Sequence, residues 1–317
     1  EKFNEPPKRL DLVSDSINSI FASNSCGYSG GAIYIDSNTS TTIMDSVFAN
    51  NSASWGGVIK NLGADLSIYG STFANNSATG HGGVLHILTS GNNNIYDSTF
   101  INNEAPNGAV IFVDESRTPT INIHGSRFED NKATGCGIIL SNDSDVNIYN
   151  STFANNTSTS GHGVIGNQTG TVNIENSIFS NNTSTATSAV DTYSGNLYIN
   201  NSIFENNTSP NKAAVGIASN AIAIIKNSIF KNNISNESYS ESANAAAVQN
   251  FSQNTTIIAD KGITEFTGNM ANGESGAISN VYTSILYLNA SKTGSFTIND
   301  NVSGQNNNKI YINATKD

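Results

Sequence analysis

Charge is scarce in this chain. Only 12% of its 317 residues are Asp, Glu, Lys or Arg, and the 14 basic ones lie scattered without a run. With a formal net charge of -11 there is no basic stripe for phosphates, so nucleic acid is excluded as an expected partner. No stretch approaches the roughly 18 apolar residues of a membrane span. No signal peptide is read either, as expected of a segment cut from a longer secreted or anchored protein. Cysteine is nearly absent, and the two present allow one bridge at most.

What fills the chain is Asn, Ser, Thr and Gly, a composition that ordinarily reads as low-complexity. Here those residues occupy fixed positions. The stretch from Leu66 to Leu85 shows the unit: an alternating run at Leu66–Tyr69, a second at Ser71–Phe73, a break at Asn75-Asn76, and a third run opened by Gly82-Gly83. Copies align on Phe21, Phe48, Phe73, Phe100, Phe128, Phe153, Phe179, Phe204, Phe230 and Phe266. Three residues later stand Asn24, Asn51, Asn76, Asn103, Asn131, Asn156, Asn182, Asn207, Asn233 and Asn269. Two residues before the phenylalanine stands Ser, with Thr264 in the last copy; five before stands Ile from Ile43 to Ile225. A degenerate final copy places Ile298, Asn301 and Ile310 in these columns.

A repeat of about 26 residues predicts an all-β fold: a single right-handed parallel β-helix of about 11 rungs, roughly 50 Å long. Residues 1–10 match no column and read as a linker or cap; residues 11–317 form the solenoid. Stacked rungs place the phenylalanines ring over ring inside, and the asparagines as an amide ladder whose residues also tolerate a left-handed corner. Ladder positions Phe48, Phe73, Phe100, Phe128, Phe153, Asn51, Asn76, Asn103, Asn131 and Asn156 are therefore structural. Cys26 and Cys136 lie four rungs apart, roughly 19 Å at strand spacing, too far for a disulfide. Extra residues predict loops at Asp114–Pro119 and at Ile234–Asn244, the latter carrying Glu237 and Glu241.

Gly30-Gly31-Ala32-Ile33 and Gly82-Gly83-Val84-Leu85, with Phe48–Asn51 and Phe73–Asn76, make a GGA[ILV] and FxxN pattern that covers nearly the whole chain. It resembles the repeats of chlamydial polymorphic outer-membrane proteins and, in its Asn/Ser/Thr-rich form, adhesin-like surface proteins of methanogenic archaea. The resemblance implies a pectate-lyase-like β-helix on an extracellular cell surface with an adhesive role. It implies no catalytic residue.

The rival class is a carbohydrate-active enzyme, because this fold also carries polysaccharide lyases and polygalacturonases. Gly80-His81-Gly82 and Gly161-His162-Gly163 resemble the polygalacturonase histidine motif, but both fall at a corner where glycine recurs without histidine. The carboxylate pair of a glycosidase is missing. Asp143 and Asp145 read as a solvated turn, and Asp191 stands alone. No cofactor, metal or catalytic residue is expected.

Sequons are abundant, among them Asn38, Asn75, Asn142, Asn156, Asn167, Asn182, Asn207 and Asn236. Those in the buried ladder should stay unmodified, leaving loop sequons such as Asn142 and Asn236 as acceptors. The expected binding face lies four residues before each phenylalanine, pointing outward: Met44, Tyr69, Tyr96, His124, Tyr149, Glu175, Asn200, Lys226. Its aromatic part, Tyr69, Tyr96, His124 and Tyr149, either stacks on itself to stabilise the sheet or suits a glycan or a protein surface of another cell.

Overall fold

The computed structural model describes residues 16–303 apart from 38, 89, 115–117, 211–213, 237–244, 273–274 and 281–283. The expected cap at 1–10, the glutamates of the 234–244 insertion, the centre of the 114–119 loop and the final strand near residue 310 lie outside the described residues.

Among the described residues every rung but the last contains four strands, not the three that the alternation suggests. In the rung of Phe73 they are Leu66–Tyr69, Thr72–Ala74, Ser77–His81 and Leu85–Ile87. Ser77–His81 escapes a hydrophobicity reading because its only apolar inward residue is Ala78. Every fourth strand pairs with the next copy, giving three sheets of 11 strands and one of 10. Pairing is parallel and in register: Phe73 sits opposite Phe48 on one side and Phe100 on the other. Parallel strands joined by such crossovers wind right-handed. Three sheets hold 11 strands each, but the solenoid makes about 9 turns, slightly fewer than the 11 rungs expected. The complete core is shorter, since the fully buried phenylalanines run only from Phe48 to Phe266.

Inside, adjacent phenylalanine rings stack at 4.5–5.0 Å between centroids from Phe21 to Phe266. Each buried ring contributes about 1.5–3 kcal/mol. The asparagine ladder forms as expected and is tied to the backbone as well. Asn76 Nδ2 donates to Phe48 O and to Asn103 Oδ1, each at 3.0 Å. Its Oδ1 accepts from Asn51 N at 2.9 Å and Asn51 Nδ2 at 3.0 Å. The serines make a second column: Ser71 Oγ donates to Tyr69 O at 2.8 Å and accepts from Ser46 N at 3.1 Å.

The left-handed corner belongs to a different residue from the one expected. Positive φ falls one position before the ladder asparagine, at Asn50, Asn75, Asn102, Asp130, Asn155, Asn181, Asn206 and Asn232. A second set of positive-φ residues, including Asp45, Gly70 and Asn150, turns the chain between the first two sheets. The ladder asparagines themselves must stay extended, because their side chains point inward. At the glycine corner, Gly56 has φ +63°, whereas Gly57 is required by space: a Cβ there would lie 2.2 Å from Gly83 O.

Cys26 and Cys136 are free thiols, as their separation requires. Among the described residues no helix is long and apolar enough to cross a membrane.

Candidate functional site

With Leu66 and Ile68 buried in the core, strand alternation turns Tyr69 outward. Register does the same in each following rung, pairing Tyr69 with Tyr96, Tyr96 with His124 and His124 with Tyr149. The four expected site residues thus form one continuous, half-buried stack. Centroid separations are 5.0, 5.0 and 4.7 Å, with interplanar angles of 5°, 15° and 19°. Burial pushes His124 below its ordinary pKa, with the Asp97 carboxylate opposing, which favours its neutral imidazole.

Beside the rings runs an outer amide ladder. Asn122 Nδ2 donates to Asn94 Oδ1 at 2.9 Å, Asn147 to Asn122 at 2.9 Å and Asn173 to Asn147 at 2.6 Å. Asn147 therefore has partners on both sides, which its exposed position in the repeat does not reveal. Past Tyr149 the column turns polar with Glu175, Asn200 and Lys226, and a shallow groove of about 270 Å³ opens there beside Tyr198 and Ile224. Lys226 is held by Asp260 at 2.8 Å and Asn200 Nδ2 donates to Glu175 at 3.3 Å.

A second concentration of chemistry lies on the outer side of the fourth sheet. Register aligns Tyr34, Lys60, His86 and Phe112 there. Trp55 pairs with His81 on the neighbouring corner. Lys60 and His86 are almost fully buried; Lys60 Nζ donates to His86 Nδ1 at 2.7 Å and sits 5.1 Å from the Trp55 ring centre. That bond requires a neutral His86 with its proton on Nε2, the atom 3.6 Å from Asp114 Oδ2. Desolvation lowers Lys60 to about 8 against the pull of Asp114. Desolvation, then the Lys60 charge, holds His86 far below its ordinary range. His81 stacks on Phe112 at 4.3 Å and is lowered chiefly by burial. The sequence carried a signal for this cluster: Trp55, His81 and Asn107, like Lys60, His86 and Phe112, follow each other at the repeat interval.

Two sequence readings change. Asp191 does not stand alone, because His162 Nδ1 lies 2.9 Å from its Oδ2. Asp143 and Asp145 sit at strand ends, not on a free turn: Asp143 accepts from Thr169 Oγ1 at 3.1 Å and Asp145 from Thr171 N at 2.9 Å. Among the described residues no group of three or more His, Cys, Asp or Glu is placed to hold a metal ion.

A continuous parallel solenoid with this register decides the fold. This is a right-handed β-helix. A family model described as a right-handed beta helix region matches residues 12–153. No curated protein and no solved structure matches the chain. The β-helix segment matched by the family model contains both the aromatic stack and the Lys60 cluster.

Proposed function

We propose that the chain is a non-catalytic segment of an extracellular, cell-surface adhesin-like protein, and that it binds glycan through the face centred on Tyr69, Tyr96, His124 and Tyr149. One observation carries this reading: four aromatic rings, stacked and in register, lie half-exposed on a sheet beside a row of amide groups. Because the rings cover one another's faces, a sugar meets their outward edges and the tyrosine hydroxyls, while its own hydroxyls reach the neighbouring amides. The resemblance of the GGA[ILV] and FxxN repeats to adhesin-like surface proteins supports the same role. In the test, Tyr69, Tyr96 and Tyr149 are changed together to Ser and binding is read on a glycan array. Loss of binding with unchanged circular dichroism is expected, while Lys231→Ser on another sheet keeps it. Full binding by the triple variant would overturn the reading.

The second reading, a carbohydrate-active enzyme, is favoured by the Lys60–His86–Asp114 row. Its base is the Lys60 amine, lowered to about 8, which must leave its buried contact with His86 to reach an acidic sugar. Formation of unsaturated product from a polyuronate, abolished in Lys60→Met, would place this reading first.

A further inference from the structure

The repeat writes Asn-Asn-Ser or Asn-Asn-Thr across the corner between the second and third sheets: at 50–52, 75–77, 155–157, 181–183 and 206–208. In the last three, a serine follows, so two sequons overlap: Asn155-x-Thr157 with Asn156-x-Ser158, and likewise at 181–184 and 206–209. The repeat columns already put the ladder asparagine of each pair inside; they leave open where its neighbour points.

The fold separates them. Strand alternation puts residues two apart on the same side of the wall. Asn156 and Ser158 both point inward, with exposures of 0% and 1%, and Asn156 Nδ2 is committed to Phe128 O and Asn182 Oδ1. The same holds for Asn182 with Ser184 and for Asn207 with Ser209. In the other frame, Asn155, Asn181 and Asn206 are exposed, each at the left-handed corner. Their hydroxyl partners Thr157, Thr183 and Thr208 face outward with them. Asn50 with Ser52 and Asn75 with Ser77 have the same geometry.

We infer that the left-handed corner column Asn50, Asn75, Asn155, Asn181 and Asn206 is a set of N-glycan acceptor sites, and that the ladder asparagine next to each is never one. In the transfer, the asparagine Nδ2 bonds to the anomeric carbon of a lipid-pyrophosphate-linked oligosaccharide. The anomeric carbon–oxygen bond breaks, lipid pyrophosphate leaves, and Nδ2 gives up one proton. Successive rungs are about 4.8 Å apart, less than the width of a sugar chain. Asn181 therefore excludes occupancy of Asn155 and Asn206 in the same molecule. This inference is independent of the glycan-binding face, from which the column is separated by the whole second sheet.

The folded protein is incubated with an oligosaccharyltransferase of Asn-x-Ser/Thr specificity and its lipid-linked donor. Glycans are then released by peptide-N-glycosidase in H₂¹⁸O, and the isotope-marked aspartates are located by mass spectrometry. Marks are expected at the corner column, with Asn155 and Asn181 never marked on one molecule. Thr157→Val removes the hydroxyl of the outer frame and keeps Asn156-x-Ser158 intact, so it should abolish the mark in that rung. A mark persisting in Thr157→Val, a mark at Asn156, Asn182 or Asn207 in wild-type protein, or no mark anywhere in the column would overturn the inference.

Discussion

Asn131→Ala tests the inner ladder at mid-stack, where fraying from an end cannot absorb the change. The side chain makes four hydrogen bonds. Its Oδ1 accepts from Asn103 N at 2.9 Å and Asn103 Nδ2 at 3.0 Å; its Nδ2 donates to Phe100 O at 2.9 Å and Asn156 Oδ1 at 3.0 Å. Not all of these partners are stranded by the substitution. Asn103 Nδ2 keeps Phe73 O, and Asn156 Oδ1 keeps Asn131 N. Asn103 N and the side-chain-facing lone pair of Phe100 O are left in a dry wall. An orphaned buried group costs about 1–3 kcal/mol, so the two together cost about 2–6 kcal/mol.

The companion change, Asn147→Ala, removes two bonds of the outer ladder, where water replaces them. It should cost about 0.5–1.5 kcal/mol, more than an unpartnered surface position would. The assay is chemical denaturation followed by circular dichroism, comparing midpoints at constant slope so that a change in cooperativity is not mistaken for a change in stability. Equal midpoints for the two variants would refute the assignment of buried and exposed ladders, since the same functional group is removed from each.

Two further outcomes follow from local geometry and charge. Gly57→Ala brings a Cβ within 2.2 Å of Gly83 O and 2.3 Å of Ser77 O and should destabilise by about 1–3 kcal/mol, read from the same midpoint. Lys60 has a folded pKa of about 8 against an ordinary 10.5, so between those values the unfolded chain binds the extra proton. Stability should therefore gain a Lys60-dependent increment as pH rises through that window, up to about 3 kcal/mol and absent in Lys60→Met. His86 is lowered from 6.5, so acidification below that value protonates the unfolded chain first and destabilises the fold; His86→Gln should flatten this limb.

The inner columns were legible because burial allows little choice. Phe, Ile and Asn recur where a stacked ring, a core aliphatic or an amide ladder is required, and each rung repeats the requirement. The outward aromatic stack was legible for the same reason, since an inward Ile148 fixes the direction of Tyr149. The third strand of each rung was not, because an inward Ala78, Ala105 or Ser158 carries no hydrophobic pattern. Nor was the corner residue, because adjacent asparagines look alike while one is αL and exposed and the other is extended and buried. Lys60, His86 and Asp114 escaped for a different reason. They come from separate rungs, and Trp55 and His81 cover them from a neighbouring corner, a contact that needs three dimensions.

A solenoid that repeats its interior so closely leaves the exterior to carry any difference between rungs. On the first sheet the outward column changes from stacked rings at Tyr69–Tyr149 to Glu175, Asn200 and Lys226. On the fourth sheet the outer column changes from Lys60, His86 and Phe112 to Leu140, Gly166, Asp191 and Gly216. Both changes occur within about two rungs of each other, although the buried phenylalanine and asparagine columns continue past them to Phe266 and Asn269. The phenylalanine and asparagine columns are the same on either side of the switch, whereas on the fourth sheet the inward column changes with it, from Ile87 and Val113 to the buried polar Ser141, Asn167 and Thr192. On the first sheet the inward Ile123, Ile148, Ile174 and Ile199 continue unchanged, so there packing does not call for the stacked rings. The outward face of Tyr69, Tyr96, His124 and Tyr149 is therefore where substitutions that spare the fold test the proposed binding.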